Sequence, residues 1–390
     1  MRLYLNDCGV ICPLGAGKAQ VVKGLDAARP VFIEREGLVT GRAVPVGAVA
    51  SIPELPLDQE CRNNRLMQAA LDQIAPAIEA AAQRYGRDRV AVVLGTSTSG
   101  IAEGERALAE QRQTGAWPEG FHYRRQETGS LSDFAARHLR LTGPAMTIAT
   151  ACSSSAKVFA SARRLIRLGL ADAAVVGGAD TLCRMTLNGF GSLEALSKGR
   201  CNPFSGNRDG ITIGEGAAAF LLSPEPGPVE LLGVGETSDA HHATAPHPEG
   251  NGARAAMAQA LEDAGLTPAD IAYVNLHGTA TPLNDAMESK AMAALFPLET
   301  LCSSTKGMTG HMLGGTGGVE AAFLWLALNP ATSSGLLPTH VWDGEADAAL
   351  PRLALVAPGT PIPERSRLAM LSNSFGFGGS NVSIVLERVR

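Results

Sequence analysis

The sequence predicts an α/β fold with largely parallel sheets, because short apolar runs alternate with longer segments that have helical spacing. Buried strands are predicted at residues 89–94, 172–177 and 271–276, where Val, Ile, Leu and Ala dominate. Helices are predicted between them, for example at 65–85 and 252–264. With 390 residues, of which 45% are apolar and 18% charged, the chain is long enough for a composite fold with an ample core.

The two halves of the chain resemble each other weakly. A proline-rich connection at residues 223–228 separates them and predicts one unit over 1–224 and another over 229–390. Residues 145–166 have the pattern of an apolar strand, a turn with a cysteine and a helix, and residues 301–324 repeat that order. A duplicated α/β unit would place both turns at the ends of parallel strands, facing one shared cleft.

Charge and composition exclude several classes of function. The 33 basic and 38 acidic residues give a net charge of −5, so no bulk electrostatic attraction to nucleic acid or anionic membranes is expected. Asp7 interrupts the N-terminus before any long apolar run, which argues against a secretory signal, and Pro330 and Pro338 break the apolar stretch at 321–342, which argues against a membrane span. The seven cysteines are scattered, so a reducing, cytoplasmic location is predicted.

One cysteine stands in a chemically suggestive turn. Cys152 follows the strand-like run 144–149 and precedes the helix-like run 156–170. A thiol near a helix N-terminus is expected to have a lowered pKa, because unpaired N–H groups and the helix dipole favour the thiolate. The alternative is a buried structural cysteine, which is common for a lone cysteine in a core.

Three more polar or glycine-rich turns follow apolar strands. They are residues 275–285 with His277, residues 303–320 with His311, and residues 372–381, whose glycines can present backbone N–H groups to an anion. One cysteine and two histidines at strand ends suggest acyl transfer through a thioester, with the histidines as bases or as donors to an oxyanion. Metal binding is the competing use of these residues, but their wide spacing in sequence argues against it, so no metal site is predicted.

The motifs together give the chain a family resemblance. From Gly9-Val-Ile-Cys-Pro-Leu-Gly15 to Asn373-Ser-Phe-Gly-Phe-Gly-Gly-Ser-Asn381 it resembles the elongating β-ketoacyl-acyl-carrier-protein synthases of the thiolase superfamily. The resemblance implies duplicated βαβαβαββ halves in a five-layered αβαβα sandwich. It also implies decarboxylative condensation of an acyl thioester with malonyl-acyl carrier protein, in fatty-acid, polyketide or polyene biosynthesis. No cofactor is implied beyond the phosphopantetheine that carries the substrates.

The resemblance assigns roles to the motif residues. Cys152 would be the acyl-accepting nucleophile, and the backbone N–H groups of Cys152 and Phe377 would form the oxyanion hole. His277 and His311 would donate hydrogen bonds to the enolate left by decarboxylation. Lys306 and Glu320 would form an internal polar network that orients His311, with a surface ion pair as the alternative.

Further residues are expected to bind substrate. Thr279 and Thr281 resemble hydroxyls that contact the pantetheine arm, whereas Phe377 resembles a gate that flanking glycines allow to rotate. The expected substrate-binding set also includes Thr98, Phe375 and Gly378. Because residues 96–100 and 123–130 are more polar than a wall for saturated chains, an unsaturated, polyene or aryl-bearing acyl group is predicted.

Partner recognition is expected to depart from the usual pattern. Many elongating synthases carry an arginine where this chain has Asn202, so docking of the acidic carrier protein would use other cations. The candidates are Arg62, Arg65, Arg124 and Arg125. The resemblance also implies a dimer, either of two copies or with a related ketosynthase-like subunit.

Three alternative functions stay open at this level. A degradative thiolase or an initiating synthase would act on coenzyme A thioesters, but the second histidine, His311, argues against both. A non-catalytic, chain-length-determining partner would typically lack the nucleophile that Cys152 supplies. Nucleotide binding at residues 95–100 is weaker, because Gly-x-Gly-x-x-Gly spacing and a Walker lysine are both missing there.

Overall fold

The computed structural model describes residues 1–50, 52, 54–56 and 61–389. The strands of the first half are β1 (Tyr4–Cys12), β2 (Gly15–Ala16), β3 (Ile33–Val39), β4 (Arg42–Val46), β5 (Val90–Gly95), β6 (Ala145–Ile148), β7 (Ala173–Asp180) and β8 (Gly216–Ser223). Its helices are α1 (Lys18–Ala27), α2 (Arg62–Leu71), α3 (Ala75–Tyr85), α4 (Ile101–Thr114), α5 (Ser130–His138), α6 (Ser154–Arg167) and α7 (Arg184–Ser192).

The second half begins directly after the proline-rich connection. Its strands are β9 (Val229–Ser238), β10 (Ile271–Asn275), β11 (Leu301–Ser303), β12 (Ala354–Leu355), β13 (Ala369–Gly376) and β14 (Ser380–Arg388). Its helices are α8 (Asn251–Ala264), α9 (Pro282–Leu295), α10 (Lys306–Thr309) and α11 (Thr316–Leu328).

The single helix predicted over residues 65–85 is wrong in one respect, because the chain forms two helices there. α2 ends at Leu71 and α3 begins at Ala75, with Pro76 in the first turn of α3. A proline has no N–H group and its ring collides with the carbonyl four residues earlier, so a continuous helix cannot pass through Pro76. The same proline suits the first turn of a new helix.

Both halves have the same strand order. It is β1-β8-β7-β5-β6 in the first half and β9-β14-β13-β10-β11 in the second, and antiparallel pairing of β1 with β9 joins them. β5, β6 and β7 are parallel, as are β10, β11 and β13, whereas β8 and β14 run antiparallel to both of their neighbours. The expectation of largely parallel sheets is therefore wrong: each half has a parallel side and an antiparallel side.

The core forms in three zones that define five layers. α6 and α11 lie between the two halves of the sheet in the central apolar cluster. α2, α3 and α5 cover the outer face of the first half, and α8 and α9 cover that of the second. α11 is buried along its whole length, which is the pattern of a helix enclosed on all sides.

This architecture brings the two predicted turns together. α6 follows β6 and α11 follows β11, and both strands belong to the parallel sides, so both helices start at strand carboxyl ends. Gly95, at the end of β5, allows α6 to approach closely. A Cβ there would lie 2.4 Å from the Ser155 backbone nitrogen, so any side chain would displace the first turn of α6.

The sheet order ends at β6, which forms one edge of the described structure. Ala145 and Met146 are exposed on this strand. An exposed apolar edge strand offers unpaired backbone groups to another chain.

Among the described residues, no helix has the length and apolar character needed to cross a membrane.

Candidate active site

The turn that carries Cys152 contains a strained residue and is held by side-chain hydrogen bonds. Ala151, the residue before Cys152, has φ 51°, which is uncommon for a residue with a side chain. The Ser154 hydroxyl donates to the Ala151 carbonyl (2.6 Å) and accepts from the Thr150 N–H (2.9 Å). These two bonds at the start of α6 direct the Cys152 side chain away from the helix and into a cavity.

Cys152, His277 and His311 meet at one end of this cavity of about 250 Å³. His311 Nε2 lies 3.0 Å from Cys152 Sγ, and the rings of His277 and His311 meet edge to face with centroids 5.3 Å apart. All three side chains are buried. The structure thus brings together residues that lie 125 and 159 positions apart in sequence.

The thiol of Cys152 does not behave as the helix-terminus argument predicted. Burial raises its pKa to about 11, although the charge of Lys306 and the backbone N–H of Phe377 act in the opposite direction. The expectation of a lowered pKa is therefore wrong, because loss of hydration outweighs the favourable dipoles. At neutral pH Cys152 is therefore a thiol, and its proton would have to be removed for the sulfur to react.

This raised pKa predicts how the thiol responds to pH. Alkylation of Cys152 by iodoacetamide is expected to accelerate about tenfold per pH unit between pH 7 and 9, because only the thiolate reacts. Reaction at pH 7 is expected to be slower than that of free cysteine, whose thiol has a pKa near 8.5. The measurement is peptide mass spectrometry on Cys152 over a pH series, and a plateau beginning near pH 7 would contradict the raised pKa.

Both histidines are neutral hydrogen-bonding groups. Burial lowers the pKa of His277 and His311 well below the usual range, and the positive charge of Lys306 adds to the effect. The other ring nitrogen of His311, Nδ1, lies 2.9 Å from the Thr316 hydroxyl, so that hydroxyl orients the ring. A neutral imidazole with an Nε2 proton can donate to a developing negative charge.

Lys306 and Glu320 form a fully buried ion pair. Lys306 Nζ donates to Glu320 Oε1 at 2.6 Å, and the side chains are 1% and 0% exposed, respectively. Burial raises the pKa of Glu320, while the charge of Lys306 and the hydrogen bond from the Thr305 hydroxyl counteract it. The surface alternative for this pair is therefore wrong. The positive charge of Lys306 acts on both histidines, because it helps to lower the pKa of each.

His277 is positioned by a carboxylate that the sequence reasoning missed. Glu288, on α9, accepts the backbone N–H groups of His277 (2.8 Å) and Gly278 (2.7 Å) and the side-chain amide of Asn373 (3.1 Å). Burial raises the pKa of Glu288 to about 7. A signal was present, because Glu288 lies one helical turn after Asp285, the last residue of the histidine motif.

Three phenylalanines are among the residues that line the cavity beyond Cys152 and the two histidines. Phe375 and Phe377 line it, and Phe190 meets Phe377 with ring centroids 5.4 Å apart. Thr279 and Thr281 also line it, with their hydroxyl oxygens 3.0 Å apart. These positions agree with the expected gate and pantetheine-binding residues, whose roles stay predictions.

Gly378 lies beside the cavity instead of lining it. Its N–H donates to the Ala243 carbonyl at 2.8 Å, and its φ of 81° is a conformation that favours glycine. The residue thus shapes the turn that carries Phe377.

Thr98 has a different environment from the one predicted. Its hydroxyl donates to the Asp180 carboxylate at 2.8 Å, and the side chain is fully buried outside the cavity that Cys152 lines. Asp180 also accepts the Thr96 hydroxyl (2.7 Å) and the Gly314 N–H (2.6 Å). The interpretation of this turn as a polar pocket wall is therefore not supported, because Asp180 already binds the hydroxyls of Thr96 and Thr98.

The four candidate docking arginines are not equivalent. Arg62 donates to both oxygens of the buried Glu215, at 2.6 and 2.7 Å, so it belongs to an internal ion pair and is a poor docking group. Arg124 pairs with Asp133 on the surface at 2.8 Å. Arg125 donates to the Gly120 carbonyl at 2.6 Å, and Arg65 lies on α2.

Comparison with known proteins decides the family. Residues 56–226 match the family model of the β-ketoacyl synthase N-terminal domain, and residues 229–339 match that of the C-terminal domain. The chain belongs to the β-ketoacyl synthase family. The family resemblance and the thiolase-like fold predicted from the sequence are thereby confirmed.

Two curated relatives carry the same protein name, 3-oxoacyl-[acyl-carrier-protein] synthase 2. The Synechocystis protein is 32% identical over 329 residues, which cover 77% of this chain and 75% of the relative. The Staphylococcus aureus (strain COL) protein is 34% identical over 267 residues, which cover 63% of this chain and 62% of the relative. The match thus spans less than two thirds of the staphylococcal protein.

Solved structures match over the whole chain. One is a ketosynthase (ApeO) in complex with its chain length factor (ApeC) from Xenorhabdus doucetiae, with 45% identity, a TM-score of 0.94 and coverage of 100% of this chain and 98% of the other. Another is the ishigamide ketosynthase/chain length factor, with 28% identity, a TM-score of 0.87 and coverage of 100% and 99%.

Proposed function

We propose that this β-ketoacyl synthase catalyses decarboxylative condensation of an acyl thioester with malonyl-acyl carrier protein. The observation that carries the proposal is the meeting of Cys152, His277 and His311 at the end of one cavity. A thiol within 3.0 Å of a neutral imidazole is suited to acyl transfer, and a second neutral imidazole beside them is suited to stabilising an enolate.

The first half-reaction loads the enzyme. His311 Nε2 accepts the proton of Cys152 as sulfur attacks the carbonyl carbon of the incoming thioester. The carrier thiolate that leaves takes a proton from solvent, so Nε2 keeps its proton for the second half-reaction. The oxyanion that forms accepts hydrogen bonds from the backbone N–H groups of Cys152 and Phe377, both of which point toward Sγ in the resting site. Collapse of this intermediate leaves an acyl group on Cys152 and a free carrier.

The second half-reaction extends the chain by two carbons. Malonyl thioester loses carbon dioxide, and the electron pair of the broken C–C bond moves into an enolate whose oxygen accepts from His277 and His311. The enolate carbon attacks the acyl-Cys152 carbonyl, the C–S bond breaks, and the cysteine thiolate takes back the proton held by His311 Nε2. Lys306, which is paired with Glu320, helps to lower the pKa of both imidazoles through its positive charge.

Reconstitution tests this reaction class. The protein, an acyl-carrier thioester and malonyl-carrier are expected to give a β-ketoacyl carrier with two more carbons, together with one carbon dioxide per product. Mass spectrometry of the carrier and carbon dioxide capture measure both. Cleavage of a β-ketoacyl thioester by coenzyme A, without loss of carbon dioxide, would instead indicate a thiolase.

A catalytic subunit is favoured over a non-catalytic chain-length partner. The nucleophile and both histidines are present and their polar atoms meet, which a purely structural subunit does not need. The related ketosynthase ApeO is paired with its chain length factor ApeC. We therefore propose a second ketosynthase-like subunit as partner, with β6 as the pairing edge because Ala145 and Met146 are exposed there.

The partner proposal has a direct test. Native mass spectrometry of the purified protein, alone and co-expressed with a ketosynthase-like subunit that lacks the catalytic cysteine, is expected to show dimers. Met146→Glu is expected to weaken them by placing a charge on the edge strand. Unchanged dimers in that variant would place the interface elsewhere.

The acyl group is proposed to be unsaturated, conjugated or aryl-bearing. Thr98 lies outside the cavity and gives this proposal no support. The support comes from the rings of Phe190, Phe375 and Phe377 along the cavity, which suit flat π-systems. A panel of carrier thioesters of equal length is expected to acylate Cys152 faster when the chain is conjugated. Preference for saturated chains would overturn this assignment without affecting the reaction class.

Carrier docking is proposed to use Arg65, Arg124 and Arg125. Of these, Arg124 pairs with the exposed Asp133. Such surface pairs contribute at most about 1 kcal/mol, so an acidic group of the carrier can replace Asp133 as the partner of Arg124. Arg124→Glu is expected to raise KM for carrier-linked malonyl groups and leave KM for a malonyl-pantetheine thioester unchanged. Equal effects on both substrates would contradict docking.

A further inference from the structure

The catalytic group has a second chemical capability, because its three side chains are all ligands for thiophilic metal ions. The ligand atoms of Cys152, His277 and His311 lie within 4.8 Å of one another. Tetrahedral zinc binds sulfur at about 2.3 Å and nitrogen at about 2.0–2.1 Å, so its ligand atoms lie roughly 3.3–3.7 Å apart. The observed separations, from 3.0 Å between His311 Nε2 and Cys152 Sγ up to the 4.8 Å limit, bracket these values. The wide sequence spacing that argued against a metal site is therefore not decisive.

We propose that Cys152, His277 and His311 bind Zn²⁺ reversibly and that the bound ion blocks acylation of Cys152. The ion would take the cysteine sulfur as a ligand, so sulfur could no longer attack a thioester. The binding step does not depend on the proposed condensation, whereas the inhibition does.

The surroundings of the histidines favour metal binding. The Thr316 hydroxyl bonds Nδ1 of His311 at 2.9 Å and leaves Nε2 facing Cys152, which is the second-shell arrangement of many zinc-binding histidines. The adjoining cavity leaves room for water or chloride at a fourth position.

Charges around the group set the cost of binding a cation. Lys306 opposes it, but Glu320 neutralises this lysine at 2.6 Å, and Asp180 contributes a negative charge near Cys152. The thiol must release its proton: Cys152-SH and aqueous Zn²⁺ give a zinc thiolate and one proton to the buffer. Binding is accordingly expected to release about one proton per ion near neutral pH.

Competing sites are few and can be controlled. The seven cysteines are free and buried in the described structure, and Cys183 offers a matched control because its sulfur lies 3.2 Å from the Thr186 hydroxyl at the start of α7. A serine suits that helix start, so Cys183→Ser is expected to fold. The exposed His241 and the half-buried His247, with ring centroids 5.1 Å apart, form a pair that a double alanine variant removes.

Calorimetric titration of the whole protein with ZnCl₂ tests the proposal. One ion per chain is expected for wild type, for Cys183→Ser and for the His241→Ala/His247→Ala variant, with proton release seen as a dependence on buffer ionisation enthalpy. Cys152→Ser and His311→Ala are expected to bind more than about 100-fold more weakly, since even second-shell changes cost 10–100-fold. Wild type alkylated at Cys152 is expected to lose the site without any mutation.

A second measurement follows the thiol itself. Stoichiometric Zn²⁺ is expected to protect Cys152 from iodoacetamide, and EDTA is expected to restore reaction. Unchanged binding after alkylation of Cys152, or binding abolished only by removal of His241 and His247, would overturn the proposal. If Zn²⁺ protected Cys152 from iodoacetamide but did not inhibit condensation, the metal site would stand and the result would count against Cys152 as the nucleophile of the proposed function.

Discussion

His277→Ala and His311→Ala are each expected to lower carbon dioxide release from malonyl-carrier by about 10²–10³-fold, the cost of removing one oxyanion donor. The two variants should differ in the loading step. His311 Nε2 contacts the Cys152 sulfur at 3.0 Å, whereas the structure gives His277 no such bond. His311→Ala is therefore expected to slow acylation of Cys152 as well, and His277→Ala to leave it within a few-fold of wild type.

The measurements are single-turnover acylation, followed by intact mass, and carbon dioxide capture from malonyl-carrier. His138→Ala is the control, because that half-exposed histidine pairs with Asp72 away from the cavity. Equal effects of His277→Ala and His311→Ala on loading would contradict the separate roles. Unimpaired carbon dioxide release in either variant would remove that histidine from enolate stabilisation.

Lys306→Met is expected to destabilise the protein by about 3–5 kcal/mol, because it leaves the buried Glu320 carboxylate without its partner. The loss should depend on pH in a defined direction. An unpaired buried carboxylate has a raised pKa in the folded state, so stability is greatest below the unfolded pKa and falls as pH rises through the folded value. The variant is therefore expected to be closer to wild type at pH 5 than at pH 8.

Urea denaturation at both pH values measures this effect. The double variant Lys306→Met/Glu320→Leu removes both charges and is expected to recover most of the stability. It is not expected to recover condensation, because the charge of Lys306 no longer acts on His277 and His311. A loss below about 1 kcal/mol in the single variant would contradict a buried pair, since that is the range of exposed pairs.

The motif residues could be predicted from sequence because each sits where a strand ends. Cys152, His277 and His311 follow β6, β10 and β11, and the carboxyl ends of parallel strands meet at one edge of a sheet. The repeated strand–turn–helix pattern indicated the duplication for the same reason. The antiparallel sides were missed, because a buried strand has the same apolar pattern whichever way its neighbour runs.

The environment of these residues could not be predicted in the same way. The pKa of Cys152 depends on how much water packing removes, and sequence position indicates only the nearby helix dipole. The partner of Thr98 is Asp180, 82 positions away, and that of Arg62 is Glu215, 153 positions away. Such long-range pairs decide whether a polar side chain faces a substrate or the core.

The most direct test of the whole account is intact-protein mass spectrometry after incubation with an acyl-carrier thioester. Wild type is expected to gain the mass of one acyl group, located on Cys152 by peptide mapping and lost on addition of malonyl-carrier. Cys152→Ala is expected to gain none and to lose at least about 10⁴-fold in condensation, as other enzymes do without their nucleophile. An acyl adduct that persists in Cys152→Ala and still turns over with malonyl-carrier would contradict the account.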